Sequence, residues 1–252
     1  MRVRGVELGE GVPQIIVPLT GAHRDAVLDQ VGAVLGTGAR ILEWRTDLLG
    51  TDLPVRQHRE AVLGLLPALR ERIGTERVLL VTCRTRAEGG ARALGDAELG
   101  ELLEAAARSG HVDLVDVETA RDAHVVAGVV EAAHASGVGV LGSFHDFQGT
   151  PGEQETVELL RAQRRAGADV PKIAVTPRSA EDVLRLCSAS LQVAREGQGP
   201  HIAISMGDLG MVTRVAAQLI GSAATFASSG EGSAPGQLPV EDVERMLHLL
   251  RI

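Results

Sequence analysis

The amino-acid sequence predicts a closed (β/α)8 barrel. Short Val/Ile/Leu-rich runs recur along the chain, longer amphipathic stretches dotted with Arg and Glu separate them, and the repeat is about 25 to 35 residues. Continuous apolar runs mark strands buried on both faces, and their alternation with helices calls for a parallel sheet covered on its outer side. Eight such units in 252 residues fit a barrel, with a doubly wound open sheet as the runner-up. No Pro/Gly/Ser-rich linker divides the chain, so residues 1–252 read as a single barrel domain.

Taken in order, the first dozen residues are expected to form a short β-hairpin closing the barrel floor. The strand candidates follow: QIIVPL (Gln14–Leu19), RILEWR (Arg40–Arg45), VLLVTCR (Val78–Arg84), VDLVDVE (Val112–Glu118), GVGVLGSFH (Gly137–His145), DVPKIAV (Asp169–Val175), HIAIS (His201–Ser205) and SAATF (Ser222–Phe226). Amphipathic stretches after each place helices near 23–36, 55–73, 96–109, 123–136, 153–166, 179–196, 210–220 and 240–251.

Composition narrows the function classes. At 44% hydrophobic the chain can bury a large core, and the balance of 25 basic and 33 acidic residues, −8 net, argues against a nucleic-acid surface. No polybasic patch suits anionic lipid, no signal-peptide core opens the chain, and no apolar run approaches the ~20 residues of a membrane span. A soluble, cytoplasmic protein with a small-molecule partner is expected. Cys83 and Cys187 form no CxxC and read as reduced packing thiols. GVGVLG at 137–142 satisfies GxGxxG formally, but it begins a strand and no helix follows its third glycine, so it is no dinucleotide site. No metal-ligand spacing, nucleophile elbow or P-loop is present in the sequence, and no cofactor is implied.

Lys172 is the only lysine; the other 24 basic residues are arginine. A guanidinium stays protonated, whereas burial or neighbouring cations can neutralise a lysine amine, and only a neutral amine attacks a carbonyl to form an imine. The plain alternative is a base-composition bias that left one lysine by chance. Position favours chemistry, because Lys172 lies within an apolar strand where an idle charge is costly.

Barrel enzymes place their chemistry at the carboxyl ends of the strands. Here those ends carry Glu43, Arg45 and Asp47; Thr82 and Arg84; Asp116 and Glu118; Ser143, His145 and Asp146; and Lys172. Alternation puts Glu43, Arg45 and Asp47 on one face. Of eight histidines, only His145 ends an apolar strand on this rim, one strand before Lys172; the others fall on helices or at strand starts and read as structural. A lysine with a histidine suggests proton abstraction beside a carbonyl.

In these segments the sequence resembles the type I 3-dehydroquinate dehydratases of the shikimate pathway, nearly end to end. ILEWRTDLL is similar to that family's Glu-Trp-Arg-x-Asp segment and TCRTRAEGG to its Thr-x-Arg followed by Glu-Gly-Gly. SFHDFQGTP resembles the segment with the catalytic histidine, ADVPKIAV the one with the Schiff-base lysine, and ISMGDLGMVTR and GSAATFASSGEGSAPGQ the last two strand-loop segments. The resemblance implies a hydro-lyase of aromatic amino acid biosynthesis that converts 3-dehydroquinate to 3-dehydroshikimate. Lys172 would form the imine, His145 would move the proton, and Glu88 would orient His145. It further implies that Arg214, Ser233 and Gln237 hold the substrate carboxylate, that Glu43, Arg45 and Arg84 grip hydroxyls or stabilise charge, and that Met206 and Phe226 supply apolar wall. A homodimer without metal or nucleotide is the family expectation. Pro18 stands where some members have serine and Gly149 where some have lysine. The loop 228–237, rich in Gly and Ser, is expected to act as a lid. The rival readings are a class I Schiff-base aldolase, with a phosphate near Gly207 and Gly210, and a non-catalytic barrel that binds a metabolite.

Overall fold

The computed structural model describes residues 1–230 and 234–251. The chain opens with a two-stranded antiparallel hairpin, β1 (Arg2–Val3) and β2 (Val6–Glu7), and then alternates strand and helix. In order these are β3 (Gln14–Leu19), α1 (Arg24–Leu35), β4 (Ile41–Arg45), α2 (Val55–Ile73), β5 (Val78–Thr82), α3 (Asp96–Arg108), β6 (Leu114–Glu118) and α4 (Ala123–Ala135). They continue as β7 (Gly139–Asp146), α5 (Glu153–Arg165), β8 (Val170–Val175), α6 (Ala180–Arg195), β9 (Ile202–Ser205), the one-turn helices α7 (Gly207–Gly210) and α8 (Val212–Val215), β10 (Ala224–Phe226) and α9 (Val240–Leu249).

The eight strands β3 to β10 are parallel and pair in chain order, with β10 returning to β3 through Ala224–Gln14, Thr225–Ile15 and Phe226–Ile16. Between β9 and β10 the contact is a hydrogen bond from Ala223 N to His201 O (2.8 Å), so the barrel is nearly closed. Outward side chains such as Val17, Leu42, Trp44, Leu79, Val81 and Val115 form one core with helices α1 to α4, and Ile173, Val175 and Ala203 form another with α5 and α6. The helices present matching stripes: α2 buries His58, Val62, Leu65, Leu66, Leu69 and Ile73, a spacing of three and four that keeps one face inward. Local signals set their ends. Asp122 caps α4 by accepting from His124 N (2.9 Å), and Gly74, at φ 78°, stops α2 in a region that side chains disfavour.

Inside the barrel the lower half is apolar: Ile16, Ile41, Val78, Leu80, Leu114, Leu141, Val170, Ile202 and Ala224 meet there. The hairpin plugs this end with Val6 and Leu8, as expected, and Met1 and Leu8 exchange two hydrogen bonds that shut it (3.0 and 2.8 Å). Each fully buried side chain of this kind contributes roughly 1.5–3 kcal/mol. Around it, Asp113 gathers Arg4 Nε (2.6 Å), Arg70 and Leu79 N (2.8 Å).

Two expected elements end differently. The third strand stops at Thr82 instead of Arg84, because Arg84 N leaves the ladder to donate to Asp47 Oδ1 (3.2 Å). The helix expected over 210–220 is two single turns, α7 and α8. There Thr213 Oγ1 is taken by Ser205 N (3.0 Å), and Arg214 is buried and aimed at Phe226 O (3.5 Å), tertiary bonds that outcompete a continuous helix.

Candidate active site

The carboxyl ends of the strands enclose a cavity of about 190 Å³. Inward positions that are apolar below become polar here, two residues further along each strand: Glu43 and Arg45 on β4, Thr82 on β5, Asp116 and Glu118 on β6, Ser143 and His145 on β7, and Lys172 on β8. Strand alternation is enough to aim them at one another.

Arg84 is the hub of one side. Its guanidinium donates to Asp116 Oδ2 (2.8 Å), Ser143 Oγ (2.8 Å), Glu118 Oε1 (3.2 Å) and Glu88 Oε2 (3.5 Å). Burial works to lower its pKa, but the surrounding carboxylates outweigh burial and raise it. Glu118 also accepts from Thr85 N (2.7 Å) and Arg121 Nε (3.0 Å), and Asp116 from Ser143 Oγ (2.6 Å). These charges are costly to bury singly, and here they offset one another.

Lys172 Nζ lies 3.7 Å from Asp116 Oδ2 and 4.6 Å above the centre of the Phe226 ring, and only 5% of the residue is exposed. Burial lowers its pKa, with Arg84 and Arg45 adding to the effect and Asp116 and Glu43 opposing it. A lysine so placed has access to the neutral amine. His145 Nδ1 is 2.8 Å from Glu88 Oε2, which leaves Nε2 as its uncommitted nitrogen. Burial, then Arg84, Lys172 and Arg45, hold His145 well below the ordinary histidine range, and burial pushes the Glu88 carboxyl up to about 8. Glu88 reaches His145 from the 3-10 turn Arg86–Glu88, closed by Gly89 at φ 81°, where a Cβ would meet the Phe147 ring.

The opposite side is nearly free of charge. Met206, Ile204, Ala174 and Phe226 form the wall, with Ala234, Pro235 and Gln237 at the mouth. Arg214 is the exception: 1% exposed, it donates to Phe226 O (3.5 Å) and Pro235 O (3.0 Å), and no carboxylate pairs with it among the described residues. Burial alone pulls its pKa down to about 10. A buried guanidinium that faces a cavity and meets no carboxylate among the described residues has the chemistry to pair with an anion.

Of the residues singled out in the sequence, Lys172, His145, Glu88, Glu43, Arg45, Arg84, Met206, Arg214, Phe226 and Gln237 line this one cavity, and Ser233 lies outside the described residues. Asp47 is a correction. Instead of sharing the face of Glu43 and Arg45, it turns behind Arg45 in the 3-10 turn Thr46–Leu48 and is fully buried. Asp116, Glu118 and Ser143 stood out only as strand ends, although the i, i+2 spacing of Asp116 with Glu118 and of Ser143 with His145 was a signal that they face the same way as Glu43 and Arg45. Phe147 and Ile204 carried no signal in the sequence. Gly207 N, considered for a phosphate, donates to Pro235 O (3.2 Å). Burial pushes the Cys83 thiol up to about 12, as suits an inert packing residue. His201, buried at a strand start, bonds Ser190 Oγ (2.8 Å) at the other end of the barrel. Among the described residues no cluster of three or more His, Cys, Asp or Glu is arranged to hold a metal, and no helix is long and apolar enough to cross a membrane.

Comparisons with known proteins converge. The profile of the type I 3-dehydroquinase family matches residues 15–252. A 3-dehydroquinate dehydratase of Syntrophotalea carbinolica is 38% identical over 253 residues, covering 100% of this chain and 98% of its own, and one of Bacillus velezensis is 39% identical, covering 98% and 96%. Among solved structures, the 3-dehydroquinate dehydratase of Geobacillus kaustophilus superposes with a TM-score of 0.93 at 38% identity, covering 99% of this chain and 95% of its own. The type I enzyme of Clostridium difficile, solved with covalently modified comenic acid, gives 0.94 at 33%, with 99% and 97% covered. Barrels of 3-hexulose-6-phosphate synthase reach 0.57 at 18% identity and share the fold alone. The chain therefore belongs to the type I 3-dehydroquinase family, a family of hydro-lyases.

Proposed function

We propose that this protein removes water from 3-dehydroquinate to give 3-dehydroshikimate, with the whole chain acting as one catalytic domain, through an imine on Lys172 and proton transfer by His145. The observation that carries the reading is the buried, single lysine in the same cavity as the Glu88–His145 pair. The Lys172 amine adds to the ring ketone and expels one water, leaving an iminium. Nε2 of His145 takes the proton from the adjacent carbon, and the iminium accepts the electron pair as an enamine. His145 then returns that proton to the departing hydroxyl, which leaves as water. Hydrolysis of the conjugated iminium frees the product and restores Lys172.

Arg214, with Gln237 and Ser233, would hold the carboxylate of the substrate, since the guanidinium is the one buried cation of the cavity that lacks an acidic partner among the described residues. Glu43, Arg45 and Arg84 would face the hydroxyls and the charge beside the imine. Met206 and Phe226 would hold the ring carbons. Homodimeric assembly in the cytoplasm, in line with the family, completes the reading. Incubation with 3-dehydroquinate tests it: a conjugated enone absorbance should grow, and its absence with correctly folded protein would remove the assignment. A phosphorylated sugar in place of 3-dehydroquinate, if it alone formed the imine, would point to an aldolase.

A further inference from the structure

We propose that Asp47 is a positioning residue for this reaction: from behind the cavity wall, its carboxylate sets the Arg45 guanidinium and holds the segment that carries Glu88. The inference rests on the dehydratase reading above. Asp47 is fully buried and does not line the cavity, yet all four of its hydrogen bonds run to groups that do or to the backbone next to them. Oδ1 accepts from Arg45 Nε (2.8 Å) and Arg84 N (3.2 Å), while Oδ2 accepts from a terminal nitrogen of Arg45 (2.8 Å) and Ala91 N (3.2 Å). Each oxygen thus takes one guanidinium bond and one backbone bond.

The three groups come from different stretches of chain. Arg45 is the last residue of β4, Arg84 follows β5, and Ala91 lies three residues past Glu88. Between them the backbone has no slack, since a Cβ on Gly90 would stand 1.9 Å from Arg84 O and Gly90 N already donates to Thr85 O (2.8 Å). A shift at Ala91 is therefore passed to Glu88 and on to His145. The fork onto Arg45 does separate work. A long side chain facing a cavity has many rotamers, and two parallel bonds to a fixed carboxylate leave one.

An asparagine at 47 cannot reproduce this. Whichever way its amide is turned, the NH2 group meets one guanidinium N–H and one backbone N–H, two donors against a donor. Misplacement of about 1 Å at a positioned group costs on the order of 10²-fold, and Asp47→Asn should lower kcat/KM by about that factor. Fold damage alone would reduce the number of working sites without touching KM, so rates are to be expressed per site trapped by borohydride with 3-dehydroquinate. Per trapped site, KM should rise and the pH limb of the Glu88–His145 pair should move. Arg45→Lys is the second variant, since lysine keeps the charge but cannot fork, and it leaves the bonds of Asp47 to Arg84 N and Ala91 N in place. It should raise KM as Asp47→Asn does, and because Arg45 itself faces the cavity it reads only the guanidinium arm of the proposal. Wild-type KM in Arg45→Lys, or wild-type KM and pH limb per trapped site in Asp47→Asn, overturns the role of Asp47. An inactive wild-type protein would instead overturn the dehydratase reading.

Discussion

The two buried arginines of the cavity have opposite surroundings. Arg84 sits among Asp116, Glu118, Glu88 and Ser143, and its charge is met several times over. Arg214, across the cavity, touches only main-chain oxygens in the described structure and keeps its charge against burial. Among the described residues the charges of the wall of β4 to β7 are paired, and the guanidinium on the side of β9 and β10 has no acidic partner. The balanced wall can hold Lys172, Glu88 and His145 at shifted proton affinities, and the unbalanced one can take up an anion.

The sharpest break is at the lysine between the walls. Lys172→Arg should abolish turnover and borohydride trapping together, since arginine retains charge but offers no neutral amine. In the wild-type protein, trapping with 3-dehydroquinate should also block the single cleavage by a lysine-specific protease. Cleavage at Lys172 after trapping would rule out the imine.

Next comes the proton shuttle of the balanced wall. His145→Ala should lose roughly 10⁴-fold in kcat, the upper end for general acid–base catalysis, while still trapping substrate on Lys172. Near-normal turnover would exclude His145.

The contrast between the arginines is tested directly by neutralising each. Arg84→Gln leaves Asp116 and Glu118 short of a cation in a dry site, and urea unfolding should register a loss of about 3–5 kcal/mol. Arg214→Gln should leave stability unchanged or raised and instead weaken substrate binding by about 1.5–3 kcal/mol, seen as a higher KM. Reversed outcomes would mean that the walls have been misread.

The smallest effect is in pH. Because burial raises Glu88 to about 8, the folded Glu88–His145 pair keeps its proton through neutrality, and the base form with a free Nε2 appears only as pH passes that value. The log of kcat/KM should therefore climb with slope near one up to about pH 8 and then level, and Glu88→Gln should erase that limb. The same shift has a stability sign: between the ordinary Glu range and about 8 the unfolded chain has released a proton that the folded chain retains, so the contribution of Glu88 favours folding below that window and fades as pH rises through it.

Much of this site was legible in the chain. One lysine among 24 arginines, set in an apolar strand, and one histidine at a strand end already marked the proposed nucleophile and base. Alternation put Glu43 and Arg45 on one face, and the same spacing of Asp116 and Glu118, read only as a strand end, was there to be used. The part of Asp47 was not legible, because strand periodicity extrapolated past Arg45 puts it in the cavity, and only the turn after β4 takes it out. The seventh helix failed for a related reason: helical pattern at 210–220 says nothing of Thr213 bonding back to Ser205.

By itself, then, the sequence determined the strand count, the order of elements, the floor and rim of the barrel and which lysine and histidine are the candidates for chemistry. Those follow from periodicity and residue type, which are local. Tertiary structure alone decided which carboxylate meets which cation: that Arg84 is saturated and Arg214 is left without an acidic partner among the described residues, that Glu88 meets His145, and that Asp47 braces Arg45. Such pairings depend on distances between strands far apart in the chain, and a charge reveals its partner only when the backbone has closed around both.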